Sequence, residues 1–304
     1  MTTSVFLIAL AAPFLWALVN HADKFLLSKY FKSGGIGGLM IFSTLFSAFL
    51  IPVVYIMDKN AINISFENGA LLMLSGVVNA IAILCYLYAL YDEEASVVVP
   101  FMQLIPVFTF VFGFMFLGET LTQLQVIAGL IIIFGAGLLS FEFKRGERIR
   151  FKFKVTMLMI GCSVCFALYL TLFKLVSIED GFWTGALWEA FGLILTGVAL
   201  FGIKKYRMEF VQIFERNSAP IIGLNIGSET LTVIGNWLST FASLLAPLTL
   251  VALVSSYQPV FVFIMGIIAT ILLPHLVTEK ISKGALLHKG LAIVIVVFGT
   301  YLLY

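Results

Sequence analysis

The chain has 304 residues, 61% of them hydrophobic and only 11% charged, with a formal net charge of +2. A soluble domain carries about 25% charged residues, and so apolar a chain cannot cover its own exterior in water. This excludes a soluble enzyme, a disordered chain and a nucleic-acid binder, which would need a basic excess. The bilayer is the solvent.

A membrane-crossing helix takes about 20 predominantly apolar residues. That ruler marks ten spans: 4–27, 36–57, 69–91, 95–117, 122–141, 155–178, 182–203, 219–244, 246–273 and 284–304. The gaps hold polar punctuation and leave no room for a soluble domain. Transmembrane strands would alternate in polarity, and these runs do not. The expected fold is an all-α integral membrane protein of ten transmembrane helices. Met1–Ser4 carries no positive charge and no clean cleavage site follows, so the start does not read as a signal peptide.

Charge at the bilayer centre costs about 2.5–3.5 kcal/mol on insertion scales, so polar residues within the spans are the candidates for function. In the first span Trp16, Asn20, Asp23 and Lys24 share one helix face. They line a cavity, or Asp23 and Lys24 snorkel to headgroups. The second span has no Lys or Arg, the third carries Asn79, and the fourth carries Gln103 and Pro106. Cys162 and Cys165 in the sixth span lack a second ligand pair and read as small residues between helices. Tyr169 is placed to wall an organic substrate or to pack, and Lys174 reads as a snorkelling lysine. In the seventh span Gly185, Glu189, Gly192 and Thr196 share a face beside Trp188, and Trp183 reads as an interfacial anchor. Glu189 is a candidate proton carrier or a structural glutamate, because desolvation favours a neutral carboxyl. The eighth span has a polar row, Asn225, Glu229, Thr232 and Asn236, and a Gly223-x3-Gly227 pair that reads as close helix packing. Gln258 and Pro259 open the ninth. Pro106 and Pro259 interrupt matching helices, as hinges or as passive kinks.

An ordered self-similarity runs through these spans. Shifting by 153 brings Ala89, Pro106, Phe108, Phe110 and Gly113 onto Ala242, Pro259, Phe261, Phe263 and Gly266. Shifting by 150 brings Ala17-Leu18 and Lys24 onto Ala167-Leu168 and Lys174. The reading is two five-helix repeats, 1–141 and 155–304, joined by a charged linker at 142–154. Five being odd, the second repeat enters the membrane inverted, an architecture common among alternating-access transporters.

Trp16 with Lys24 eight positions on, Tyr88-Ala89-Leu90, Pro106, Gly118-Glu119-x-Leu121-Thr122 and Gly135 form a loose signature. It returns as Phe166 with Lys174, Ala242 with Pro259, and Glu279 with Gly299. The chain resembles the EamA group of the drug/metabolite transporter superfamily in its ten-helix form. The resemblance implies a multi-pass carrier that moves small metabolites, often outward, with both termini in the cytoplasm. The arginine often present in the second helix of that family is missing from residues 36–57.

The expected function is therefore a secondary transporter, an exporter of small polar or amphipathic metabolites such as amino acids. The alternatives are multidrug efflux or a lipid-linked flippase of the same fold. No phosphate loop, clustered histidines or Gly-x-Ser-x-Gly motif occurs, so no enzyme activity, cofactor or metal is expected. The expected partners are a small-molecule substrate, the lipid bilayer and a coupling proton, but no nucleic acid. The expected location is the cell membrane, which is the inner membrane if the source is a Gram-negative bacterium. The translocation residues are Glu189 and Glu229, then Asn20, Lys24, Asn236, Gln103, Asn79, Gln258, Trp16, Tyr169 and Trp188. Orientation is contested. Apart from Lys24 and Lys174, the loops after odd-numbered spans hold fifteen Lys and Arg and the other face holds only Lys59. The positive-inside rule then places both termini outside, against the family resemblance.

Overall fold

The computed structural model describes residues 1–29, 35–92, 98–140, 153–216, 219–272 and 283–303. All regular structure among them is helical: α1 (Thr3–Lys29), α2 (Ile36–Met57, with a 3-10 turn at Ser47–Phe49) and α3 (Phe66–Asp92). Next come α4 (3-10 Val99–Leu104, then Ile105–Leu117), α5 (Gln123–Ser140), α6 (Phe153–Asp180), α7 (Phe182–Gly202) and α8 (Lys204–Arg216). The chain closes with α9 (Ala219–Leu245), α10 (Leu248–Ser255, then Gln258–Leu272) and α11 (Lys283–Leu303). Among the described residues six stretches are long and apolar enough to cross a membrane: Thr3–Ala22, Ile36–Met57, Phe66–Asp92, Phe153–Asp180, Phe182–Gly202 and Leu248–Ile268. Phe101–Leu117, Gln123–Leu138 and Leu287–Leu302 are apolar but shorter. The protein is a multi-pass membrane protein.

Two boundaries depart from expectation. The segment between the seventh and eighth expected spans is not a plain loop, because α8 forms there; Tyr206, Phe210 and Ile213 recur at helical spacing and turn inward. Most of the expected linker lies outside the described residues. Its last residue, Lys154, already belongs to α6 and pairs with Asp92 at 2.6 Å.

Burial follows the logic of a lipid solvent. Ala9, Ala12, Ala17, Ala80, Ala82, Ala89 and Ala128 are buried, while Phe114, Leu130, Phe134 and Val294 are each more than 60% exposed. Small residues lie between helices because lipid gives no drive to bury large apolar ones, and close backbone approach maximises dispersion. The tightest seam joins α3 to α7. A Cβ on Gly192 would collide with the Met73 carbonyl oxygen, and one on Gly76 would collide with that of Glu189. Gly223 and Gly227 do the opposite of what their spacing suggested. Among the described residues nothing lies within 4 Å of a Cβ at either, so neither packs a described helix there.

The helices lie alongside one another as α1 with α9, α3 with α6 and α7, α4 with α6 and α10, α1 with α10, α2 with α7, and α5 with α11. These pairings bring Trp16 of α1, Ser43 of α2, Asn79 of α3, Glu189 of α7 and the polar row of α9 together.

Candidate functional site

Glu189 sits within this group, 7% exposed. It is on α7, one residue past Trp188, and the α3–α7 glycine seam brings α3 close enough for Asn79 to donate to it, Nδ2 to Oε1 at 3.2 Å. Tyr169 on α6 is buried beside the carboxyl, 4% exposed. The Asn79 donor offsets part of the desolvation that a lone buried carboxyl would suffer.

The polar row of α9 faces α1 and α2, as a row at intervals of four and three residues must if one side is buried. Asn236 Oδ1 accepts from Trp16 Nε1 at 3.1 Å, and Glu229 Oε2 accepts from Ser43 Oγ at 2.9 Å. Asn225 and Ser228 are buried on the same side, and Thr232 bonds back to the Ser228 carbonyl. Gly235 makes room for the indole, since a Cβ there would lie 2.7 Å from Trp16 Nε1.

A cavity of about 30 Å3 joins these groups, lined by Ser47, Leu50, Ala186, Glu189, Val233, Asn236 and their neighbours. It has room for a water. Trp237 forms one wall and also borders a second cavity of about 310 Å3 with Phe182, Trp183, Ile234, Leu238 and Phe241. The rings there meet edge to face, Trp183 on Trp237 at 5.5 Å and Phe182 on Phe241 at 5.4 Å. Trp183 is thus part of an aromatic cleft between α7 and α9.

The remaining sequence candidates are placed apart. Trp188 turns from Glu189 toward Gly69 and stacks edge-on against Phe191 at 5.5 Å. Gln103 is buried on α4, and its Oε1 has no hydrogen-bond partner among the described residues. Asn20 is half-buried on α1, and Gln258 is half-buried at the break in α10. The side chain of Lys24 lies outside the described residues. Pro106 and Pro259 both occupy the first turn of a second helical segment, after a 3-10 stretch and after a turn at Ser256–Tyr257. A missing N–H costs nothing there, so each proline begins a segment rather than bending one. Cys85, Cys162 and Cys165 are free thiols, two of them half-buried and Cys162 buried. Among the described residues no group of His, Cys, Asp or Glu is placed to hold a metal ion.

Sequence reasoning missed a second polar cluster. Lys174 does not snorkel: it is 5% exposed. Its Nζ pairs with Glu119 Oε1 at 2.5 Å and donates to the Ala246 carbonyl at 2.6 Å. The other oxygen, Glu119 Oε2, accepts the Leu248 N–H at 2.7 Å, at the start of α10, where the helix dipole favours an anion. Gly118, with φ +64, ends α4 and turns Glu119 back over Gly113. The signal was present as Gly118-Glu119, but its partners lie 55 and 129 residues away.

Residues 3–141 match the EamA-like transporter family. An uncharacterized protein of Methanocaldococcus jannaschii is 36% identical over 91 residues, or 30% of this chain and 66% of that protein. The match therefore spans just under two thirds of that relative's length. A solved crystal structure of a protein only 13% identical superposes with a TM-score of 0.70, covering 99% of this chain and 96% of that one. At that identity the likeness is one of fold. The likeness to the EamA-like transporter family thus rests on residues 3–141, just under half of the chain.

Proposed function

We propose that the protein is a secondary transporter of the cell membrane that exports small polar or amphipathic metabolites, such as amino acids, by alternating access. It is built from ten spans in two inverted five-helix halves, 1–141 and 155–304, with α8 lying outside the repeat. The observation that carries the reading is the pattern of polar bonds in the interior. Trp16–Asn236, Ser43–Glu229, Asn79–Glu189 and Lys174–Glu119 each join a residue of the first half to one of the second. Polar groups that meet across two halves at mid-membrane form a substrate site with no net loss of hydrogen bonds when the halves part and water or substrate enters.

The helix pairings support the two-half reading. Exchanging the halves converts α1–α9 into α6–α3 and α4–α6 into α10–α1, while α2–α7, α4–α10 and α5–α11 map onto themselves. One pairing is unequal. The glycine seam holds α3 tightly to α7, whereas α2 meets α9 through the Ser43–Glu229 hydrogen bond. An inequality of this kind is what alternation requires, one state being the other with the halves exchanged. Glu189 and Glu229 are the substrate-facing groups, and Glu189 carries the coupling proton. Asn20, Lys24, Asn79, Gln103, Asn236, Gln258, Trp16, Tyr169 and Trp188 complete or support the pathway, with hinges at Pro106 and Pro259.

The aromatic cleft favours a second reading. Its wall is wholly apolar and it shares Trp237 with the polar cavity, which suits an amphipathic or lipid-linked substrate entering from the bilayer. Counterflow into proteoliposomes with a panel of amino acids, lipophilic cations and lipid-linked sugars separates the two. Uptake of amino acids, abolished by Glu189→Gln and impaired by Glu229→Gln in correctly folded protein, is the expected result. Wild-type transport by both variants, or uptake that needs ATP, overturns the reading.

A further inference from the structure

We infer that α8 is a membrane-surface helix whose Lys204, Lys205 and Arg207 bind anionic phospholipid headgroups, and that this contact holds the start of α2 in place. The position follows from the chain. One residue separates Gly202, the end of α7, from Lys204, and two separate Arg216 from Ala219, the start of α9. With both ends tied to neighbouring long helices, the 13 residues of α8 lie along the membrane surface. The three basic side chains are exposed, and between and beside them Ile203, Met208 and Val211 are 43–52% exposed. Apolar side chains at acyl-chain depth with basic ones at headgroup depth are the composition of an interfacial helix. The segments after odd-numbered spans, α8 among them, hold fifteen Lys and Arg in the sequence against Lys59 alone in the others, and the positive-inside rule then turns α8 toward the leaflet whose anionic lipids attract them. A soluble protein partner would not call for apolar exposure at the level where α7 ends and α9 begins.

The opposite side of α8 is bonded to the body of the protein. Glu209 Oε2 accepts the Gly37 N–H at 2.9 Å, in the first turn of α2, where a carboxylate also meets the helix dipole. Tyr206 and Tyr88 share a hydroxyl hydrogen bond at 2.5 Å. Gly37 and Gly38 leave no space between the helices: a Cβ on Gly37 would run into the Tyr206 ring, and one on Gly38 would lie 2.8 Å from the Glu209 backbone. Six residues beyond Gly37, Ser43 donates to Glu229. Headgroups that fix α8 therefore fix the helix that supplies one wall of the interior. This inference rests on the fold and not on the substrate reading.

The test uses the full chain in phosphatidylcholine vesicles at 50 mM salt, with a fluorophore on Met208→Cys and unsubstituted protein as the labelling blank. Quenching by spin-labelled phosphatidylglycerol is compared with quenching by spin-labelled phosphatidylcholine. Attraction near an anionic surface is on the order of fivefold per basic residue, so phosphatidylglycerol should quench at least about threefold better. The preference should fall toward one at 500 mM salt and in Lys204→Gln/Lys205→Gln/Arg207→Gln protein, but not in Lys59→Gln protein. The salt titration needs no charge substitution and so stands apart from any folding effect of the triple variant. Equal quenching by the two lipids, a preference insensitive to salt, or one retained by the triple variant overturns the inference.

Discussion

Removing the ammonium of Lys174 isolates a buried carboxylate, and its effect can be worked from the contacts. Lys174 and Glu119 have side chains 7% and 14% exposed, so neither charge can recover its loss by turning to solvent. In Lys174→Met, Glu119 keeps the Leu248 N–H but loses its counter-charge, and the Ala246 carbonyl loses its donor. Breaking a buried pair from one side costs about 3–5 kcal/mol. Glu119→Gln with Lys174 intact leaves a buried ammonium facing neutral acceptors and falls in the same range. The double variant buries no charge, and the amide oxygen that Glu119→Gln introduces can still accept the Leu248 N–H. The Ala246 carbonyl and the new amide NH2 then pair with each other or stay unsatisfied, at a cost of up to about 1–3 kcal/mol. The double variant should therefore be more stable than either single one, a coupling of several kcal/mol. Unfolding in mixed micelles of dodecyl maltoside and sodium dodecyl sulfate, followed by far-ultraviolet circular dichroism, measures all four proteins. Single variants within about 1 kcal/mol of the parent, or a double variant at the sum of the two singles, would refute the reasoning.

Three further outcomes are expected. Gly192→Ala drives a Cβ into the Met73 carbonyl oxygen and should cost about 1–3 kcal/mol by overpacking; Gly137→Ala, with nothing within 4 Å, should be neutral or stabilising by about 0.4–1 kcal/mol, and equal effects in the same micelle assay would remove the α3–α7 seam from the account. Trp16→Phe keeps the ring but removes the donor to Asn236, so transport should weaken while Phe182→Leu, in the outer cleft, changes only amphipathic substrates; proteoliposome counterflow distinguishes them. Asn63→Cys, exposed in the turn after α2 on the Lys59 face, should react with an impermeant thiol reagent in intact cells if the charge bias sets orientation, and protection of that position would instead support termini in the cytoplasm.

Hydropathy and helical period were enough to identify the bilayer as solvent, to place every described helix except α8 to within a few residues, and to single out the polar row Asn225, Glu229, Thr232 and Asn236. Those properties are local: a membrane helix satisfies its own backbone, so its length and apolar content are written in consecutive residues. Period also gives the face of a row, but not what the face meets. Ser43, an unremarkable hydroxyl in an apolar span, became the partner of Glu229 only because α2 and α9 converge, and Trp16 reaches Asn236 across 220 positions of sequence. Lys174 shows the limit most clearly, since a lysine near a helix end snorkels or pairs according to what lies beside it, and Glu119 is brought there by the turn at Gly118. The glycines divide for the same reason: Gly192 and Gly223 are alike in sequence, but one touches a neighbouring backbone and the other meets no described neighbour. In a membrane every helix side is apolar enough to face lipid, so hydrophobicity does not choose neighbours. Shape and the few buried polar groups choose them, and both are properties of the assembled bundle.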